Sequence, residues 1–183
     1  MLKLLKYFLF VFMLVFVSCN TVKVVSDYDA KVDFSNYKTF AFYKPGIDKA
    51  DISDLDKKRI LRAIESELIA KGFTKATELV QIGFPKPEDR MLLVSIFTKS
   101  REKVNVNQNN NLSPWGWGNG NMNNINVSQY TEGTLFVDFI DKDSKELIWQ
   151  GIGTATIENR SVEKREERIN LVVKEILAAY PPN

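Results

Sequence analysis

The sequence predicts an α+β fold, a mostly antiparallel sheet with two amphipathic helices packed on one face. Three observations carry that expectation. Two stretches repeat apolar residues at helical spacing between recognisable start and stop signals. Several short runs alternate, or are continuously apolar, in the manner of strands. The chain has 183 residues, 44% hydrophobic and 26% charged, which suits one folded domain and is too apolar for a disordered chain.

In chain order, Val22, Val24 and Val25 mark a lead-in strand within a polar stretch from Thr21 to Lys38. Thr39-Phe40-Ala41-Phe42-Tyr43 is an aromatic, alternating strand, broken by Lys44-Pro45-Gly46. Ser53 to Lys71 is a helix: Ser53 is its N-cap, Ile60, Leu61, Ile64 and Leu68 make one apolar stripe, and Gly72 stops it. Met91 to Lys99 has the apolar, β-branched character of a central strand. Ten asparagines between 105 and 126, with Trp115-Gly116-Trp117-Gly118, cannot build a core, so 100–129 reads as a long Asn/Gly/Trp loop. Thr134 to Ile140 alternates, with Leu135, Val137 and Phe139 on one face. After a turn at Asp141-Lys142-Asp143-Ser144, it should pair as an antiparallel hairpin with the run that starts at Leu147-Ile148-Trp149 and continues towards Ile157. Gly151 and Gly153 in the second strand call for a bulge or a closely approaching neighbour. Glu163 to Tyr180 is the second helix, with acids in its first turn, Ile169, Val172, Val173, Ile176 and Leu177 on its buried stripe, and Pro181-Pro182 as its end.

The first residues read as an address. Lys3 and Lys6 precede an unbroken apolar run from Tyr7 to Val17. A membrane span needs about 20 apolar residues, so this run fits the core of a secretory signal peptide instead. It ends at Phe16-Val17-Ser18-Cys19, which resembles the lipobox of bacterial lipoproteins with Phe16 where Leu is usual. That resemblance implies a signal peptide over 1–18, cleavage before Cys19, and acylation of Cys19 by a diacylglycerol thioether and an amide-linked fatty acid such as palmitate. Each buried acyl CH₂ contributes about 0.8 kcal/mol, so three chains make a durable anchor. Asn20 follows Cys19, not the Asp associated with inner-membrane retention. The expected location is the outer membrane, facing the periplasm. Residues 19–38 then form the lipidated N-terminus and lead-in strand, and 39–183 a single domain.

Composition removes whole classes of function. Lys plus Arg is 25 and Asp plus Glu is 23; without Lys3 and Lys6 the balance is 23 against 23, which argues against a nucleic-acid binder. There is no histidine, which removes His bases, ligands and pH switches. The single cysteine permits no internal disulfide and no thiolate zinc cluster. Ser161-Val162-Glu163-Lys164 has the spacing of a Ser-Lys pair but stands at a helix start, where Ser serves as a cap.

Four segments carry a family resemblance: Asp33-Phe34-Ser35-Asn36-Tyr37-Lys38-Thr39-Phe40-Ala41-Phe42, then Tyr130-Thr131-Glu132-Gly133-Thr134-Leu135-Phe136-Val137-Asp138-Phe139-Ile140-Asp141, then Lys145-Glu146-Leu147-Ile148-Trp149-Gln150-Gly151, and the closing helix that ends Tyr180-Pro181-Pro182. Together they resemble a family of bacterial lipoproteins catalogued as domain of unknown function 4136. The likeness runs from about Val22 to Pro182, and the Trp115 to Gly118 segment matches a Gly- and aromatic-rich insertion common in members. Gln150 stands where an Arg is common. The resemblance implies an α+β lipoprotein of the envelope and implies no reaction.

The candidate site residues are few. Trp115 and Trp117 are two aromatic rings in an Asn/Gly loop, open to two readings: a contact patch for a partner, a glycan or the membrane interface, or rings folded back on the body. Glu132, Asp138, Asp141 and Asp143 crowd one hairpin without calcium-loop spacing, and no metal or cofactor is expected. Asp138 falls opposite the apolar face and is expected in solvent. Trp149 is expected in the core. Lys57-Lys58-Arg59 and Lys164-Arg165 are expected on the wet sides of their helices. The reading that follows is a non-enzymatic, lipid-anchored envelope protein with a binding or scaffolding surface, contacting the membrane through Cys19 and an envelope protein partner. The alternative is an accessory lipoprotein subunit of an envelope or lipid transport system, which requires an apolar groove between helices and sheet. Convergent carboxylates in a cleft would instead point to a hydrolase.

Overall fold

A computed structural model of the chain describes residues 22–76, 90–108, 125–157 and 161–182, with the backbone alone at 105–108 and 125–129. Cys19, Trp115 and Trp117 lie outside the described residues.

Strand β1 (Lys23–Tyr28) leads through a 3₁₀ turn at Phe34–Asn36 into β2 (Tyr37–Phe42). A one-turn helix α1 (Lys44–Ile47) and helix α2 (Asp54–Ala70) follow, then a two-residue strand β3 (Thr74–Lys75). Strands β4 (Arg90–Gln108), β5 (Ile125–Asp141) and β6 (Leu147–Ile157) form a meander, and helix α3 (Val162–Ala178) closes the fold. The six strands stand in the order β1-β6-β5-β4-β2-β3. The fold is mixed α/β, and the sheet itself is mixed, which corrects the expectation of a mostly antiparallel one. Strands β1, β6, β5 and β4 pair antiparallel, but β2 runs parallel to both β4 and β3. The reason is the connection. The chain leaves β2, passes through two helices and re-enters beside it, and a helical crossover returns a strand in the same direction where a tight turn would reverse it.

The helices begin and end as their sequence signals require. Ser53 Oγ accepts from Asp56 N at 3.2 Å, and Gly72 stops α2 at φ +89°, a conformation that favours glycine. Ser161 caps α3 through Lys164 N at 3.5 Å. Ile60, Ile64 and Leu68 of α2, and Val173, Ile176 and Leu177 of α3, share one core with Leu92, Val94, Ile96, Val137, Phe139 and Trp149 of the sheet. Two contacts show that the helices run in the same direction. Arg165, near the start of α3, meets Asp56, near the start of α2, and Lys71 Nζ just past α2 donates to the Tyr180 carbonyl just past α3 at 2.8 Å.

The expected hairpin is β5–β6, and β4 with β5 forms a second, longer one that was not expected. Strands β4 and β5 stay paired from Leu92–Asp141 to Gln108–Ile125, whereas β6 accompanies β5 only as far as Thr131. Residues 100–108 and 125–129 are therefore strand, which corrects the expected loop at 100–129 over those positions, and its remainder, 109–124, lies outside the described residues. At about 3.3 Å per residue, the two-stranded ribbon extends roughly 20 Å past β6. The end of the sheet from which it leaves is called upper here. The face opposite the core carries an apolar row in register across four strands, Phe97, Phe136, Ile152 and Val25, with Phe97 41% and Val25 64% exposed.

Candidate functional site

A cavity of about 260 Å³ opens at the upper end, between the first turns of α2 and α3 and the sheet. Its floor is set by the strand register. Thr98 of β4 pairs with Leu135, Leu135 with Gly153, and Gly133 with Ala155, so all five share the core face. Lower on the same face, the positions opposite one another are filled by Val94, Phe139 and Trp149. Glycine and alanine in their place leave room. Gly153 also lets α3 approach closely, since a Cβ there would meet Ile176 Cδ1 at 2.7 Å and Val172 Cγ1 at 3.1 Å. Gly151 does the same beside Ile176 Cγ2 at 2.5 Å, so the expected close neighbour is α3. Ile52 and Ile60 form one wall, Ile169 and Val172 the other, and Ile157 stands at the outer edge.

The polar groups around this apolar space are unequally matched. Asp56 Oδ1 accepts from Arg59 Nη1 at 2.7 Å, and Asp56 Oδ2 accepts from Arg165 Nη1 at 3.3 Å. One carboxylate thus faces two guanidinium groups, and it sits in the first turn of α2, where the helix dipole also favours an anion. Arg168, one turn after Arg165, lines the same cavity. Its Nε and Nη1 are buried with no acceptor among the described residues, and so is Thr98 Oγ1. Asp51 stands exposed at the rim. A buried donor without an acceptor is costly, and a charged one more so.

A second cleft, of about 620 Å³, lies at the lower end between the 3₁₀ turn and the C-terminal Tyr180-Pro181-Pro182. Its polar groups are mostly spent on each other. Asp33 accepts from Ser35 N at 3.0 Å, Ser35 Oγ at 2.7 Å and Asn36 Nδ2 at 3.2 Å, and the two Ser35 bonds are the main reason its carboxyl is held below the usual range. Lys71 is spent on the Tyr180 carbonyl. Tyr180 Oη alone is buried without a partner there. Beneath this cleft, Asp141 is buried and accepts from Tyr37 Oη at 2.5 Å and from the backbone N–H groups of Asp143 and Ser144, both at 2.8 Å. Burial pushes its carboxyl up. The bonds from Tyr37, Ser144 and Asp143 and the charge of Arg90, 3.3 Å away, outweigh that and hold it below the usual range.

The hairpin carboxylates do not converge. Glu132 pairs with Lys103 at 2.6 Å, Asp138 accepts from Gln150 Nε2 at 2.7 Å, and Asp141 turns into the core. Asp138 does lie opposite the core face, but it is half-buried rather than in solvent, and burial raises its pKa against the pull of Gln150. Trp149 is fully buried, as expected. The basic clusters depart from expectation: the Arg59 side chain is only 15% exposed and Arg165 is half-buried, because both turn inward to Asp56. Arg168 was not singled out by sequence. Its signal is its position, one turn before Val172 and two before Ile176 on the buried stripe of α3.

Against known proteins, a family model described as Domain of unknown function (DUF4136) matches residues 24–182. No curated protein sequence matches the chain. Among solved structures, a PDZ domain protein from Parabacteroides distasonis aligns with a TM-score of 0.48 at 16% identity, over 89% of this chain and 36% of that one. The chain thus spans about a third of that protein. A PelC dodecamer subunit from Paraburkholderia phytofirmans aligns with a TM-score of 0.42 at 11% identity, over 86% of this chain and 96% of that one.

Proposed function

The chain belongs to the DUF4136 family, and on that premise we propose that it is a non-enzymatic, lipid-anchored envelope protein whose domain is a binding module with its site in the upper cavity. Acylated Cys19 would hold it on the outer membrane, facing the periplasm, with 1–18 removed as the signal peptide. Both long helices cover the core face of the sheet in this reading, and the cavity is the gap they leave.

The observation that carries the reading is the apolar lining of that cavity, between helices and sheet, at one particular end of the molecule. Strand β1 runs antiparallel to β6 with Lys23 opposite Thr154, so its N-terminus points to the upper end. Cys19 is four residues earlier, a reach of at most about 14 Å. The β4–β5 ribbon leaves from the same end, and Trp115 and Trp117 belong to the segment joining its two strands. A tether, two interfacial aromatics and an apolar cavity on the membrane-proximal side form a consistent set. The same set favours the second reading, an accessory lipoprotein subunit of an envelope or lipid transport system, with an envelope protein as its partner.

The anchor is tested by Cys19→Ala. The variant is expected in the soluble fraction with the circular dichroism and urea midpoint of the native domain. A variant that still sediments with membranes would overturn the anchor.

A further inference from the structure

We propose that the upper cavity recognises a single-chain amphiphile with an anionic head, its tail lying among Leu135, Ile169 and Val172 and its carboxylate or phosphate accepting from the Arg168 guanidinium. This rests on the reading of the cavity as a binding site and adds the ligand's chemistry to it.

Three observations lead there. The first is the unpartnered guanidinium. Two nitrogens of Arg168, Nε and Nη1, are buried at an apolar cavity without an acceptor among the described residues. The nearby carboxylate of Asp56 is already shared by Arg59 and Arg165. A guanidinium keeps its charge at all working pH values and donates its strongest bonds to a carboxylate or phosphate, so the missing acceptor is an anion. The second is the surrounding charge. Arg59, Arg165 and Arg168 stand against Asp56 and the rim residue Asp51, and the first turns of two parallel helices flank the opening, so their dipoles add to the preference for an anion. The third is size. At roughly 30 Å³ per methylene-sized group, the share of one liquid water, 260 Å³ holds about eight carbons. That is room for one short acyl segment and more than a lone ion needs. The apolar floor of Leu135, Gly153 and Ala155 suits such a tail.

The full chain carrying Cys19→Ala, which needs no detergent, is titrated calorimetrically with octanoate, octyl phosphate and octanol. The acid or the phosphate is expected to bind at least tenfold tighter than the alcohol, and the better of the two identifies the head group. Arg168→Met should abolish that margin while leaving octanol binding unchanged, with Arg168→Gln as the polar alternative should the Met variant misfold. Ala155→Phe, which fills the floor, should abolish binding of all three. Equal binding of acid, phosphate and alcohol overturns anion recognition and leaves the apolar site standing. Failure of all three to bind overturns the site as well. A head-group preference that survives Arg168→Met, or binding that survives Ala155→Phe in a folded variant, places the ligand elsewhere and also overturns the proposal.

Discussion

The two ends of the sheet's core face are built on opposite principles. At the lower end the rings of Phe139, Trp149 and Tyr180 pack with centroids 4.7 to 5.2 Å apart, and Phe34 and Phe73 close on Tyr180 from outside. The buried charge there, Asp141, has a partner for each oxygen. At the upper end the corresponding strand positions are Gly133, Gly153 and Ala155, the space is left open, and two buried nitrogens of the half-buried Arg168 have no acceptor among the described residues. Aromatic packing and satisfied polar groups are what a stability core looks like. Open volume with an unmatched cation is what a site looks like, and proteins tolerate such defects where binding needs them.

Trp149→Ala attacks the lower end directly. Removing the largest fully buried side chain in the core should cost about 4 kcal/mol, read as a fall in the urea midpoint of the Cys19→Ala chain. A loss below about 1 kcal/mol would mean that the lower end is not where the domain's stability is concentrated, and the contrast would fail.

Asp141→Asn probes the paired charge at the same end. It should cost about 2 kcal/mol at neutral pH, since Tyr37, Arg90 and the Ser144 amide all lose a charged acceptor. The pH dependence has a definite sign. The folded carboxyl titrates below its unfolded value of about 3.9, so the native state binds fewer protons than the unfolded one and the stabilisation is complete above that value. It is lost as pH falls through the lower, folded value, and Asp141→Asn should flatten this acid limb. The alkaline limb runs the other way. Tyr37 and Tyr180 are both pushed up from 10, burial being the larger cause in each, so the unfolded chain ionises first and stability falls as pH rises above about 10. Urea midpoints at a series of pH values test both limbs.

The same contrast divides what was legible in the sequence from what was not. Helix bounds could be read because caps are local: Ser53, Gly72 and Ser161 act within one turn of where they stand. The β5–β6 pairing could be read because Leu135, Val137 and Phe139 alternate against a polar turn. The parallel placement of β2 could not, since it depends on where a helical crossover deposits the chain and not on the composition of Tyr37–Phe42. Nor could the strand at 100–108, whose Asn-rich end is held by its register with β5. Asp141 looks like a turn residue and is one, yet the turn carries it into the core beneath Tyr37, 104 residues away in sequence. The family segments do collect there: Phe34, Tyr37, Asp141, Trp149 and Tyr180 converge on the lower end. The same segments also reach the proposed site, through Gly133 and Leu135 at its floor and through the closing helix that carries Arg168. Its charge reads as a solvated helix face unless its alignment with Val172 and Ile176 is weighed.

The smallest predicted effect has the most informative sign. Arg168→Met keeps the aliphatic length of the side chain and removes a half-buried cation whose Nε and Nη1 have no acceptor among the described residues. For an arginine paired in its folded state, this change would cost stability, because it would leave the partner uncompensated. For an unpartnered one it removes a desolvation penalty, so the unliganded domain should gain about 1 kcal/mol. Saturating octanoate should reverse the order, stabilising the native chain by RT ln(1 + [L]/Kd) and the variant by less. Urea midpoints for both chains, with and without octanoate, therefore measure the mismatch and its relief in one experiment. An unliganded variant less stable than the native chain would mean that Arg168 is already satisfied, and that the two ends of the sheet differ in shape without differing in charge.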